Sequence, residues 1–530
     1  MTSSEKKWIL GFSLILLAVT TLPILAGFWL QGDGWRFTGF FLGVGDGNSY
    51  IAKMLLGTSG EWLFRTPYTA FPQSGFLAFF PYLLLGKLAS IPGEHEQLVV
   101  LFQVFRWVGG WLMVYGEYQF FAYFFEIQSL RKFCTVLATV GGGAGWLALV
   151  GLQGLWGSRI PLEFYSPETF GFLSFFTLPH LAAARGLLLL GLVSYWRSYS
   201  EAPTREGKLL SGGIWLLLGL MQPLTALIGW GIIALDLGIR ICRSLWVLSW
   251  AWLRSWKQIL GYLVVPAVFS IPLVLYSSRS FLTDPFLKEW ATQNIILSPP
   301  PGDYLLAYLY LIPLLGLGGW LVVRGKMEKF YPLLGWLLLI PVLAYFPVNI
   351  QRRLPEGSWA ALIAICMVGL AHLQPKWQSV VRFGLYSTVL AALVLFLGSF
   401  LTITQTQVPV YRPVEEVQTF DFLRQKAEDF PVVLASFETS NALPAWAPVR
   451  TLIGHGPESI HLAQVQPRVE AFYRANLTQG ETEEFLREFH VRYVIWGPSE
   501  RDLGDLNPEN VSRLRKIFQN TTYQVFEVVN

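Results

Sequence analysis

Charge is scarce in this sequence: Asp, Glu, Lys and Arg make up 14% of 530 residues, against about a quarter in ordinary soluble domains. Such a deficit excludes a soluble chain of this length. The net charge of +4 comes from short Lys/Arg clusters between apolar runs, which excludes a nucleic-acid-binding surface. Cysteine is almost absent. Cys134, Cys242 and Cys366 lie in or beside apolar runs, and none follows residue 404, so the tail folds without disulfides. No zinc-type Cys/His spacing, Walker motif, dinucleotide fingerprint, Gly-x-Ser-x-Gly or His-Glu-x-x-His occurs, which removes the enzyme classes those motifs carry. There is no internal repeat and no low-complexity stretch.

Apolar and aromatic residues are abundant instead. The chain is 53% hydrophobic, with 22 Trp, 21 Tyr and 39 Phe, and its mean hydropathy is +0.45. Amphipathic rings in such numbers fit many membrane–water boundaries. The N-terminus carries Lys6 and Lys7 ahead of an apolar run ending near Leu30. That run exceeds the ~7–15 residue core of a cleaved leader and reads as a retained span. A crossing helix needs about 20 apolar residues, and the candidate windows are 8–30, 98–126, 133–152, 177–196, 209–222, 223–240, 257–277, 302–323, 330–348, 356–373 and 379–402. Pro223 makes the fifth and sixth either two short helices or one kinked helix. The run GGGAG at 141–145 falls inside the third window, where close helix packing accounts for glycine.

The positive-inside rule orients this list. With the N-terminus inside, the inner loops hold Lys6-Lys7, Arg131-Lys132, Arg197 to Lys208, Arg240 to Lys257, Arg324 to Lys329 and Lys376 to Arg382. The outer segments are then 31–97, 153–176, 278–301, 349–355 and 403–530. Residues 75–91 are apolar enough to span, but spanning would reverse the following loops. They are expected as a helix on the outer surface with Lys87 snorkelling.

Beyond residue 404 charges become frequent, and about half of all Asp and Glu lie in 405–530. Residues 432–436, 492–496 and 523–529 read as buried strands, and 414–428, 458–474, 481–489 and 508–517 as helices. The expected fold is therefore an all-α polytopic membrane domain over 1–404, with about eleven transmembrane helices, followed by a small extracytoplasmic α/β domain over 405–530.

Ionisable residues at a membrane boundary are functional candidates because burying them is costly. In GVGDGNSYIAKM (43–54), Gly45 and Gly47 flank Asp46, and Asn48 or Ser49 could cap the following helix. Asp46 then fits either a catalytic carboxylate at a cavity mouth or a plain turn residue. Tyr50, Lys53 and Met54 share one face of that helix, and Arg65 follows in GEWLFRTPYT (60–69). In the second outer loop Glu163 and Glu168 flank Tyr165 and Pro167, with His180 at the start of the next span. These fit acceptor-orienting groups, or solvated loop charges with a helix cap. Arg352 and Arg353, adjacent on an outer turn, run against the usual charge bias. Arginine suits bidentate phosphate binding, so they fit a clamp on a lipid-linked phosphate or on ordinary headgroups. Lys288 lies in a Pro-ended loop, 278–301, that fits a lid or a connector. In the tail, Glu438, Asn441, His455 and Glu458 are polar residues placed where an acceptor could bind, but the tail is expected first as a structural or acceptor-guiding module without chemistry of its own.

A first span, an outer Asp followed by a surface helix, then Gly60-Glu61-Trp62-Leu63 with Pro67, resembles the C-type glycosyltransferase superfamily (GT-C). The stretches DGNSYIAKM, PETFGFLSFFTLPH, QRRLPEG, NALPAWAPVRTLIGHGPES and RYVIWGP resemble uncharacterised bacterial multi-span members, and the likeness extends over essentially the whole chain. No Asp-x-Asp pair occurs in either outer loop, unlike metal-dependent oligosaccharyltransferases, although a divalent metal is not thereby removed from consideration. The resemblance implies a membrane enzyme that transfers a sugar from a polyprenyl-phosphate-linked donor to a glycan, lipid or protein acceptor outside the cell membrane. It also implies Asp46 as general base, with Glu163 or Glu168 as its acidic partner; fixed cations facing the departing phosphate are then expected at Arg352 and Arg353, supported by Lys53 or Lys288. A transporter or flippase for a lipid-linked substrate, or a non-catalytic scaffold, are the alternatives. Transporters show broken helices in matching repeat halves, whereas Pro223 marks a single break and the charges cluster at one face.

Overall fold

The computed structural model describes residues 1–90, 93–199, 204–246 and 252–529. Ile91 of the expected surface helix, and parts of the expected inner loops Arg197 to Lys208 and Arg240 to Lys257, lie outside the described residues.

The chain is mostly helical. Among the described residues five helices are long and apolar enough to cross a membrane: Ser3–Leu30, Glu94–Phe124, Pro223–Leu245, Gln258–Thr283 and Pro375–Thr404. Pro301–Ala307 and Ile312–Arg324, bent by 86°, make a sixth if taken as one span. The chain is thus a multi-pass membrane protein. Pro223 splits its apolar run into the helices Arg205–Met221 and Pro223–Trp246, because proline cannot donate the amide hydrogen bond that would continue the first.

Window 133–152 is not a single span. Its helix, Gln128–Val140, stops at Gly141, and the chain continues as 3-10 turns at Gly145–Val150 and Gln153–Leu155. Close packing accounts for part of this glycine run, since a Cβ on Gly142 would lie 2.7 Å from the Cβ of Ala391. A Cβ on Gly143 or Gly145 would lie 2.7 or 2.6 Å from Glu163 Oε1, so the missing side chains make room for a carboxyl group. Residues 75–91 also differ from expectation, with only Phe80–Gly86 helical. That helix packs closely on Val44–Thr58, since a Cβ on Gly86 would collide with the Met54 carbonyl. Lys87 follows the short helix and is half-buried. Its Nζ donates to Gly57 O at 3.4 Å and lies 4.2 Å from the Trp62 ring centre, capping the end of the Val44–Thr58 helix.

The described residues form two compact units, each built from three stretches of chain. One contains 1–20, 104–278 and 296–398, and the other 21–103, 279–295 and 399–530. The second therefore takes in more of the chain than the 405–530 domain expected. Its strands are β1 (Trp35–Phe37), β2 (Tyr411–Pro413), β3 (Val432–Leu434), β4 (Arg450–Thr451), β5 (Val491–Trp496), β6 (Leu514–Gln519) and β7 (Gln524–Val528). β1 and β2 pair antiparallel, tying the segment after the first helix to the start of the tail. The remaining strands form one mixed sheet in the order β4-β3-β5-β7-β6, parallel from β4 to β5 and antiparallel beyond. Helices Val414–Lys426, Leu462–Tyr473 and Gln479–Glu488 fall where periodicity placed them. The expected helix at 508–517 is instead a 3-10 turn followed by β6. Pairing with β7 outweighs the helical spacing, because a strand's backbone groups find partners only across a ladder. The sheet's core comes from Val432, Leu434, Val491, Val494 and Phe526, with Val469, Phe472 and Phe485 from the helices.

Candidate functional site

Polar side chains converge in each unit, and each set is described within its own unit.

In the unit with the α/β sheet, the helix Val44–Thr58 starts two residues before Asp46, after Gly43 in the left-handed conformation at φ 58°. Asn48 and Ser49 are therefore not its caps, and Asp46 lies in its first turn, where the helix dipole favours negative charge. The Asp46 side chain is 60% exposed, and its Oδ1 lies 3.0 Å from His455 Nε2. A carboxylate only accepts, so Nε2–H is the donor. His455 Nδ1 lies 3.4 Å from Glu458 Oε1, an ion-pair distance with no hydrogen bond. Glu458 is buried and accepts from Lys53 Nζ at 2.6 Å, Ser49 Oγ at 2.8 Å and Thr66 Oγ1 at 2.8 Å. Lys53 also donates to Ser49 Oγ. The Lys53 ammonium is 1% exposed and sits 4.4 Å from the Phe79 ring centre and 5.3 Å from that of Phe64, an aromatic enclosure suited to a cation.

One buried carboxylate thus links the Asp46 helix, the Thr66 segment and the His455 turn. A second link runs beside it. Asn48 Nδ2 donates to Asn441 Oδ1 at 2.9 Å, Asn441 Nδ2 donates to Gly454 O at 2.7 Å, and Tyr68 OH donates to Asn441 O at 3.0 Å.

Burial alone would raise the Glu458 carboxyl, but the Lys53 ammonium and His455 outweigh it and hold it below the usual range. A carboxyl depressed in the folded state stabilises the fold above its unfolded value near 4.5, and that stabilisation is lost as pH falls through the folded value. The melting temperature of the purified protein is expected to fall with acidification below about pH 4.5. In Glu458→Gln this part of the pH dependence should flatten; an unchanged slope would remove Glu458 as its source.

Arg65 is exposed and pairs with Glu61 at 3.0 Å. Lys288 is exposed on the helix Pro285–Gln293. Neither is brought to Asp46 by any hydrogen bond or ion pair described above.

In the other unit, Glu163 is 2% exposed and accepts from the Gly145 amide, while its Oε2 has no hydrogen-bond partner among the described residues. Burial raises its carboxyl above the ordinary value, against the lowering effect of the backbone amide it accepts from. Glu168 lies apart from it, with its Oε1 3.4 Å from Arg353 Nε. Arg352, on the same 3-10 turn Gln351–Arg353, sits 4.9 Å from the Tyr165 ring centre. His180 is the second residue of the helix Pro179–Arg197 and is half-buried.

Two residues that the sequence reading passed over complete this set. Arg185 donates from Nε to Glu356 Oε1 at 3.0 Å, and from Nη2 to the carbonyls of Pro167 at 2.7 Å and Glu168 at 2.6 Å. The signal was present, since a lone Arg in HLAAARGLLLL is costly without a partner.

No group of three His, Cys, Asp or Glu able to hold a metal occurs among the described residues. Asp46 and His455 offer two donors, while the Glu458 oxygens are taken by Lys53, Ser49 and Thr66. The residues do not fit a divalent metal centre, and no chemical step is derived through one.

No family model and no curated protein matches the chain. Its fold does match solved structures. The Archaeoglobus fulgidus oligosaccharyltransferase tethered with an acceptor peptide is similar at TM-score 0.52 and 12% identity, covering 91% of this chain and 69% of that one. The same enzyme in complex with Zn and sulfate gives TM-score 0.52 at 12% identity, over 92% and 67%. The arabinofuranosyltransferase AftD from Mycobacteria gives TM-score 0.54 at 13% identity, over 99% of this chain and 42% of that one. At 12–13% identity the likeness is one of fold: this chain shares its fold with these structures.

Proposed function

We propose that this chain is a glycosyltransferase that moves a sugar from a polyprenyl-phosphate-linked donor to an acceptor hydroxyl outside the cell membrane, with Asp46 as general base. The observation that carries the reading is the chain Asp46–His455–Glu458–Lys53. It presents an exposed carboxylate at a helix N-terminus and holds it by an imidazole backed by a buried ion pair. Asp46 takes the acceptor hydroxyl proton as that oxygen attacks the anomeric carbon. The bond from that carbon to the phosphate oxygen breaks, the electron pair leaves with the polyprenyl phosphate, and the anomeric centre inverts.

Each further role rests on contacts inside its own unit. Arg352 and Arg353 are assigned to the departing phosphate, whose growing charge needs fixed cations in a dry site. Lys53, committed to Glu458, is assigned to holding the base in place. Glu168, paired with Arg353, and the buried Glu163 are assigned to the acceptor, with His180 beside them in sequence. The exposed Arg65 and Lys288 fit a weaker attraction for anionic substrates. The eleven-span topology, the N-terminus inside and the tail outside belong to the same proposal, as does the division at residue 404.

Purified protein in detergent, incubated with a panel of polyprenyl-phosphate sugars and hydroxyl-bearing glycan, lipid and peptide acceptors, should release polyprenyl phosphate and glycosylate an acceptor. Arg352→Ala or Arg353→Ala should lower the rate about 10²–10³-fold, the scale of losing one preorganised charge contact. No turnover with any donor, together with substrate uptake into vesicles, would identify a carrier instead.

A further inference from the structure

Arg185 occupies a place where a charge is expensive. It lies in the apolar stretch Leu181–Val193 of the helix Pro179–Arg197 and is 2% exposed. Taking a charge out of water costs several kcal/mol unless partners satisfy it, so the contacts that hold Arg185 show what it is for. They go to two chain segments. Its Nη2 takes the carbonyls of Pro167 and Glu168 at 2.7 and 2.6 Å, and its Nε takes Glu356 at 3.0 Å.

Those segments carry the loose ion pair Glu168–Arg353. Glu168 is held by its own carbonyl, and Glu356 follows Arg353 by three residues, in the turn that succeeds the 3-10 turn Gln351–Arg353. The pair itself is not closed: Oε1 and Nε are 3.4 Å apart, and Glu168 Oε2 and Arg353 Nε make no hydrogen bond among the described residues. A carboxylate and a guanidinium free to close would do so at 2.7–2.9 Å. The backbone on both sides is clamped instead, and both groups keep hydrogen-bonding capacity for a ligand.

We propose that Arg185 is the positioning residue of this site: one guanidinium fastens the Glu168 segment to the Arg353 turn and holds the pair open for a ligand with a phosphate oxygen. Glu356 is its counter-charge. The proposal rests on the reading of Arg353 as a phosphate contact. It adds that binding depends on a residue that does not touch the phosphate.

The test is a double-mutant cycle on the full chain in detergent, with undecaprenyl monophosphate as the probe and its dissociation constant as the readout. Arg185→Lys keeps the charge but cannot span both segments, and should weaken binding about tenfold. In an Arg353→Ala background the same change should cost less than about twofold, because residues acting as a unit are not additive. Equal losses in both backgrounds would make Arg185 a general structural residue and overturn the proposal. Glu356→Gln, which keeps an acceptor, should repeat the pattern with a smaller loss and serves if Arg185→Lys does not fold.

A ligand-free measurement separates this inference from the phosphate reading. Spin labels at Phe164→Cys and Gln351→Cys, in a Cys242→Ser background, should give a narrow distance distribution that Arg185→Lys broadens. An unchanged distribution would overturn the clamp whatever the phosphate data show. Unchanged binding in Arg353→Ala with a broadened distribution would instead overturn the phosphate reading and leave the clamp standing.

Discussion

Asp46→Asn is expected to lower sugar transfer by about 10²–10⁴-fold, the usual share of a positioned general base, while leaving the protein folded. The side chain is 60% exposed and contributes no buried packing. Asparagine has the same shape, and its carbonyl oxygen can still accept from His455 Nε2. It loses the ability to take a proton. A loss of rate without a loss of melting temperature therefore separates chemistry from structure. The Michaelis constant for the donor should stay nearly constant, because the base acts only as the acceptor proton leaves. His455→Gln should cost less, since the imidazole orients Asp46 and does not itself touch the acceptor. Initial rates for both variants across a donor concentration series check this. Full activity in Asp46→Asn would remove Asp46 as the base.

How much of this could be read from the amino acids divides along physical lines. Apolar length and charge placement identified a membrane chain, and periodicity found three tail helices and three of the strands, because those signals are local. The strands β1, β2 and β4 are two or three residues long and exist through partners elsewhere in the chain. Nothing local marks them. The 508–517 segment shows the same limit, since β6 has a helix-compatible pattern and is a strand only beside β7.

The site follows that rule too. Asp46 stood out through its flanking glycines, and Lys53 through its place one helical face away. Their relation to His455 and Glu458 spans some four hundred residues of chain, so only the fold could supply it. Lys53 consequently changed meaning: a cation read as a phosphate contact is the buried partner of a carboxylate. Arg352 and Arg353 are half-buried. Glu163 and Glu168, alike in sequence, are parted by their surroundings. One is enclosed by glycines and an amide, and the other faces an arginine.

Lys53→Met should be the most damaging substitution to stability, costing about 3–5 kcal/mol, the range for removing one partner of a buried ion pair. Methionine approximates the length of the lysine stem and would still fill the space between Phe64 and Phe79. The loss is thus electrostatic. Glu458 would be left ionised at 3% side-chain exposure with only the hydroxyls of Ser49 and Thr66. It would have to take up a proton or open the enclosure to water. Glu458→Gln should be milder, because an amide oxygen can still accept from Lys53, although the ammonium loses its counter-charge. Combining Lys53→Met with Glu458→Gln should recover much of the loss, since neither buried charge then remains. Melting curves of the four proteins in one detergent give this cycle directly. Additive losses would mean that the pair is not coupled and that its geometry carries no stabilising role. Transfer rates on the same samples should fall in Lys53→Met as well, because His455 takes its place against Asp46 from the turn that Glu458 anchors. A stable Lys53→Met protein with normal turnover would detach the ion pair from both fold and base.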